Sequence, residues 1–174
     1  MRKIAIWGVL ALLALALAAV PALAATNFNN APSGAHYRQG SVEPVCSTST
    51  ANNGTITTSC TGTQIAGVGN TNADLLLTVN ATANFTCSNP GSKDKVVEPH
   101  SGSVTESAST PLTPSRNGTL VVPQQTVSLS PQDAGEQFTC PNPNWTENFV
   151  GFSAPTFSYS LTFAGFTAPA ISLP

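Results

Sequence analysis

From Leu75 to Cys87 the chain alternates with a period of two. Leu75, Leu77, Val79, Ala81, Ala83, Phe85 and Cys87 occupy the odd positions, while the even positions from Thr78 to Thr86 hold only Thr and Asn. Such a pattern fits a strand with one buried and one wetted face, whereas a helix would spread both sets around its surface. A strand of this kind needs a second layer over its apolar side, so the stretch predicts a two-layer antiparallel β-sandwich with Cys87 aimed into the core. Phe157 to Phe163 repeats the alternation with aromatic residues on one side and Ser and Thr on the other, and reads as the opposing half of that core. Lys95 to Thr105 carries Val96, Val97 and Val104 among polar residues and reads as a strand or two. Thr61 to Asn72 reads as a short strand and a turn, and Leu120 to Ser130 as a strand in which Pro123 marks an edge or a bend. Ser107 to Gly118, with Pro111, Pro114 and Asn117-Gly118, is the longest expected connector.

The N-terminus follows a different rule. Arg2 and Lys3 precede an unbroken apolar run from Ile4 to Val20, and Pro21 interrupts it ahead of Ala22-Leu23-Ala24. This predicts an export signal over residues 1–24, cleaved after Ala24. Residues 25–40 contain Asn, Gly and Pro without periodicity and read as a flexible leader or a lightly docked edge, leaving 41–174 as the β-sandwich domain. The C-terminal Ile171 to Pro174 offers neither an apolar tail nor a basic cluster, so the expectation is a secreted, extracellular protein with no membrane attachment once the signal is removed.

Four cysteines in an exported chain are expected to be oxidised, and four allow three pairings. Ala51-Asn52-Asn53-Gly54-Thr55 has the form of a three-residue hairpin loop with Gly54 in the left-handed position. Pairing Ala51 with Thr55 sets a register that puts Cys46 opposite Cys60. These two are then within disulfide reach, which leaves Cys87 to pair with Cys140.

Composition narrows the chemistry. Beyond Ala24 only Arg38, Lys93, Lys95 and Arg116 are basic, against eight acids, so the formal charge there is −4. Phosphate binding takes clustered Lys and Arg, so nucleic acid is not an expected partner. The chain shows no G-x-S-x-G elbow, no phosphate-cradling Gly loop and no Cys left over to join its two histidines at a metal, so neither a cofactor nor a metal nor catalysis is expected. Asp74, Asp133, Glu136 and Glu147 could supply a carboxylate pair, but none lies in a recognisable site. His36-Tyr37-Arg38 reads as part of the solvated leader and His100 as a surface residue. Asn70 to Asp74 has oxygen ligands at alternate positions, but Leu75 stands where a calcium loop needs Gly, so turn chemistry is the reading. Six of the eight Phe residues fall between Phe138 and Phe166. Of this aromatic segment Trp145, Phe149 and Phe152 lie outside the regular alternation, which makes them the candidate ligand-binding residues, since exposed aromatic rings stack on sugars. The expected function is thus a non-catalytic structural or interaction protein with an unknown extracellular protein or glycan as partner. The alternative is a carbohydrate- or small-ligand-binding module using those aromatics.

The succession Cys87-Ser88-Asn89-Pro90-Gly91, Lys95-Val96-Val97, Asn117-Gly118-Thr119-Leu120 and Phe138-Thr139-Cys140-Pro141, with Trp145 following, resembles a group of small exported microbial β-sandwich proteins of unknown function. The likeness spans roughly Asp74 to Phe163 and implies the sandwich fold and the Cys87–Cys140 bridge, without an activity. Immunoglobulin domains look similar in architecture, but their pattern places a Trp between the core cysteines and a Tyr two residues before the second. No Trp lies between Cys87 and Cys140, and Phe138 holds the Tyr position. Neocarzinostatin-type apoproteins also look similar, though their short disulfide loops differ from the wide Cys87 to Cys140 span. The expectation is therefore an all-β, two-layer antiparallel sandwich, immunoglobulin-like in architecture, with two disulfides.

Overall fold

A computed structural model describes residues 22–92, 95–153 and 155–174, and these are nearly all β, with 53% strand and 8% helix. Most of the expected export signal, residues 1–21, lies outside the described residues. The organising strand is β7 (Ala73–Asn89), whose inward side chains Leu75, Leu77, Val79, Ala83 and Cys87 are completely buried. Its outward side chains alternate with them as the period of two requires. Along one edge it pairs over its whole length with β8 (Lys95–Leu112). Along the other edge two strands share it end to end. The first half of β7 takes β12 (Thr156–Phe163) and the second half takes β11 (Thr146–Phe152), both antiparallel. The sheet continues from β12 through β13 (Ile171–Leu173) to β2 (Ala25–Thr26).

A second set of strands is built on the hairpin of β4 (Val45–Thr50) and β5 (Ile56–Cys60). Cys46 lies opposite Cys60 and the two are bridged, as the loop geometry requires. Ala51 and Thr55 close the loop by a backbone bond of 2.9 Å, and Gly54 adopts φ +84° beneath it. A side chain there would be strained and would also crowd the Phe149 ring. On the far side of β5 lies β10 (Gln125–Leu129). Two residues beyond Cys60, β6 (Thr63–Ala66) pairs with β9 (Leu120–Val122) in the register that β5 and β10 already share. One long two-stranded ribbon is thereby interrupted at Gly62 and Pro123. The backbones approach closely there, since a Cβ on Gly62 would stand 2.6 Å from the Val122 carbonyl oxygen, so glycine is required at that point. Pro123 thus acts as the bend expected of it.

Two expectations are corrected, and a third is narrowed to one of its alternatives. Ser107 to Leu112 is not connector but the continuation of β8, a single 18-residue strand that incorporates both Pro99 and Pro111. Prolines are tolerated in a strand whose N positions face away from the neighbouring ladder. Residues 25–40 take the docked form. β2 pairs with β13, β3 (His36–Tyr37) pairs with β6, the Phe28 and Tyr37 rings meet edge to face at 5.1 Å, and the hydroxyls of Thr26 and Tyr37 are hydrogen bonded at 2.6 Å. His100 is half buried instead of superficial, on the inward side of β8 with its ring 5.5 Å from that of Phe138.

Inward side chains from all the sheets meet in one apolar cluster, with Phe85, Tyr159, Leu161 and Phe163 among its largest members. Ala22–Leu23, as β1, adds a short edge beside β4. Among the described residues the one α-helix, α1 (Pro131–Glu136), carries a capping box. The Asp133 N–H donates to Ser130 Oγ at 3.1 Å, and the Asp133 carboxylate accepts from the Ser130 N–H at 3.0 Å.

Candidate functional site

The loop from Cys140 to Trp145 is fixed at both ends. Cys140 is bridged to Cys87 at the end of β7, and Thr146 pairs with Ser88 at the start of β11. Within it Asn142 is the pivot: its side-chain oxygen accepts from the Asn144 N–H at 2.9 Å and its carbonyl from the Trp145 N–H at 3.0 Å. Pro141 and Pro143 stiffen the same turn. The result is a shaped depression of about 430 Å³, lined by Thr139, Cys140, Asn142, Pro143, Trp145 and Glu147. Glu147 lies opposite Cys87 and therefore on the inward side of β11. Burial there holds its carboxyl above the usual range. A half-buried indole, an amide and a carboxyl thus face one cavity, a set able to stack on and hydrogen bond to a polyhydroxyl ligand.

The three candidate aromatics do not act together. β11 has a bulge between Phe149 and Gly151 that shifts its register against β7 by one residue. Phe149 and Phe152, three apart, consequently land opposite Phe85 and Ala83 on the same core-facing side, and only Val150 turns fully out. Their rings meet at 64° with centroids 4.9 Å apart, and Phe149 also meets Phe85 at 66°. Phe138 stacks parallel to Phe85 at 4.7 Å. These rings are packed against the main core through Phe85, and of the three candidates it is Trp145 that lines the cavity.

The other residues weighed from the sequence are engaged elsewhere. Asp133 accepts the Ser130 hydroxyl at 2.6 Å as well as its N–H, which holds its carboxyl below the usual range. His36 Nδ1 lies 2.7 Å from the Gly34 carbonyl oxygen, closing a turn. Asp74 sits exposed on the outer face of β7. Among the described residues no group of three His, Cys, Asp or Glu is arranged to hold a metal ion.

The wetted face expected of Leu75 to Cys87 lies on the outer side of the large sheet. Across β8, β7 and β12 the rows Thr105–Asn80–Thr156 and Ser107–Thr78–Ser158 present hydroxyls and amides to solvent, and Thr105 donates to Asn80 at 2.6 Å. The hairpin ribbon repeats the arrangement, with hydroxyl pairs Thr57–Ser128 and Ser59–Thr126, each at 3.0 Å. Asp74 is the one charged side chain among the outward positions 74–86 of β7. What the sequence reading missed is that the odd-numbered Ser and Thr of β8 extend this face, because Ser107 to Leu112 was expected to be connector.

No family model, curated protein or solved structure matches the chain. The site therefore stands on its own geometry.

Proposed function

We propose that the chain is an exported, non-catalytic protein that works by binding at its surface, on an immunoglobulin-like two-layer sandwich. Its partner is an extracellular protein or a glycan. The observation that carries this reading is the outer face of the large sheet, a field of Ser, Thr and Asn interrupted on β7 by Asp74 and Leu76 and otherwise with almost no charge. Such a face offers hydrogen bonds without the electrostatic attraction that nucleic acids or anionic membranes require. Two disulfides belong to an oxidising compartment and agree with export. Among the described residues no helix is long and apolar enough to cross a membrane.

A second reading, a glycan-binding module, is favoured by the cavity at Trp145. Electrophoresis through gels containing neutral polysaccharides, and sedimentation with insoluble ones, separates the two, with Trp145→Ala and Thr82→Arg as variants. Retention abolished by Trp145→Ala assigns binding to the cavity. Retention abolished only by Thr82→Arg, a charge placed on the exposed face, assigns it to the sheet. Absence of retention leaves a protein partner, and turnover of any polysaccharide overturns the non-catalytic reading.

A further inference from the structure

β8 has β7 on one side and, among the described residues, no strand on the other. Which backbone groups face that open edge follows from the neighbouring ladders. The Ala164 N–H bonds to the Asn72 carbonyl and the Ser153 N–H to the Thr82 carbonyl, so even-numbered residues of β7 point away from β8. Odd-numbered residues of β7 therefore bond to the even-numbered residues of β8 opposite them, and the odd-numbered residues of β8 turn their N–H and C=O groups outward. Pro99 and Pro111 are both odd, as residues with no N–H to give to the ladder should be.

Along this edge the odd positions from Pro99 to Pro111 read P-x-S-x-S-x-T-x-S-x-S-x-P, a palindrome about Thr105. All are exposed. Edge strands are commonly blunted by Lys, Pro or a bulge within the run. Here the prolines stand only at its two ends, and Glu106, on the other face, is the only charged residue between them.

We propose that the open edge of β8 is a self-association site at which a second copy of this chain pairs antiparallel, with the two-fold axis at Thr105. In that register Thr105 faces its own copy, Ser103 faces Ser107 of the other copy and Ser101 faces Ser109, while each Pro99 meets a Pro111 and ends the ladder. A two-fold interface demands this reciprocity, residue i meeting j and j meeting i. The prolines also set the register, because a shift in either direction puts a residue without an N–H opposite a serine and shortens the ladder. The side chains brought together are hydroxyls, the pairing already used between Thr57 and Ser128 and between Ser59 and Thr126. The large sheets of the two copies become one. This site is separate from the Trp145 cavity and does not depend on what the protein binds.

Sedimentation equilibrium of the purified protein over roughly 1 μM to 1 mM, the range in which modest interfaces dissociate, reads the proposal directly. The wild type is expected to form a dimer. Thr105→Pro removes an N–H that faces the open edge, so it should leave the fold intact by circular dichroism and weaken the dimer on the order of 100-fold. Ser103→Lys with Ser107→Lys places like charges opposite one another twice and should give monomer, whereas Ser103→Lys with Ser107→Glu in the same chain should restore the dimer. A wild type that stays monomeric throughout, or a dimer indifferent to the double lysine variant, overturns the proposal. So does a double lysine variant that the Lys and Glu combination fails to rescue.

Discussion

Removing the two disulfides separately should cost unequal amounts of stability, and the structure sets both the order and the size of the gap. The Cys87–Cys140 bridge spans 53 residues and the Cys46–Cys60 bridge 14. In the chain-entropy account the first restrains the unfolded state by about 4 kcal/mol and the second by about 3 kcal/mol. Packing acts in the opposite direction. Cys46 and Cys60 are both fully buried, whereas Cys140 is half exposed, so truncating the hairpin pair to Ala sacrifices slightly more buried surface, by less than about 0.5 kcal/mol. The net expectation is that Cys87→Ala with Cys140→Ala is the weaker variant by somewhat under 1 kcal/mol. With a urea dependence of about 2 kcal/mol/M for a domain this size, its midpoint should fall roughly 0.4 M below that of Cys46→Ala with Cys60→Ala. A local readout accompanies the global one. Trp145 hangs on the loop that Cys140 anchors, so its fluorescence should shift in the first variant and not in the second. Equal midpoints, or the reverse order, would refute the reasoning, because the hairpin bridge would then be contributing through something other than loop closure.

Two further outcomes follow from buried polar groups. Tyr159 is 1% exposed, its hydroxyl finds no hydrogen-bond partner among the described residues, and burial raises its pKa well above the ordinary value. Tyr159→Phe removes an unsatisfied group without opening a cavity, so the melting temperature should stay level or rise, with up to about 1 kcal/mol gained. Glu147 has its carboxyl raised by burial, so the folded state holds the proton more tightly than the unfolded one. The stability this gives is complete below the unfolded carboxyl range and fades as pH rises through the folded value. Glu147→Gln should therefore raise the urea midpoint at pH 7 and lose that advantage under acid conditions, as paired titrations of the two midpoints would read.

Much of the fold was written in alternation and turn chemistry. β7 and β12 follow from side chains that change face at every residue, and the Cys46–Cys60 bridge follows from three residues of turn and a count back along two strands. What the alternation could not carry was a change of phase. The bulge at Phe149 and Gly151 depends on how β11 meets β7, and it alone turns Phe149 and Phe152 onto one face and removes them from the candidate site. The run from Ser107 to Leu112 misled because Pro and Ser are read as turn residues. Only the pairing partner shows that their nitrogens face an open edge, where they cost nothing. α1 had its signal in plain view, Ser130-Pro131 followed by Asp133, but a six-residue helix leaves no apolar periodicity to find.

The pairing of β2 with β13 joins the two ends of the described chain, Thr26 to Ile171 and Ala25 to Ser172, and the Asn27 N–H reaches the Ala170 carbonyl at 2.8 Å. A polypeptide emerges from a ribosome or a translocon with its N-terminus first, so β13, which finishes this sheet, arrives after the other strands of the sheet. The β7–β8 hairpin can zip as soon as both strands are out, since its partners are neighbours in sequence, whereas β2 must wait for contacts of nearly the highest sequence separation the chain affords. Until then β2 has no partner strand, although β1 and β3 can already pair with β4 and β6, and the free edge of β12 is open to any chain beside it. Completion of this sheet thus waits on β13, and a chain stalled just short of Ile171 should be more exposed to aggregation and proteolysis than one that includes it.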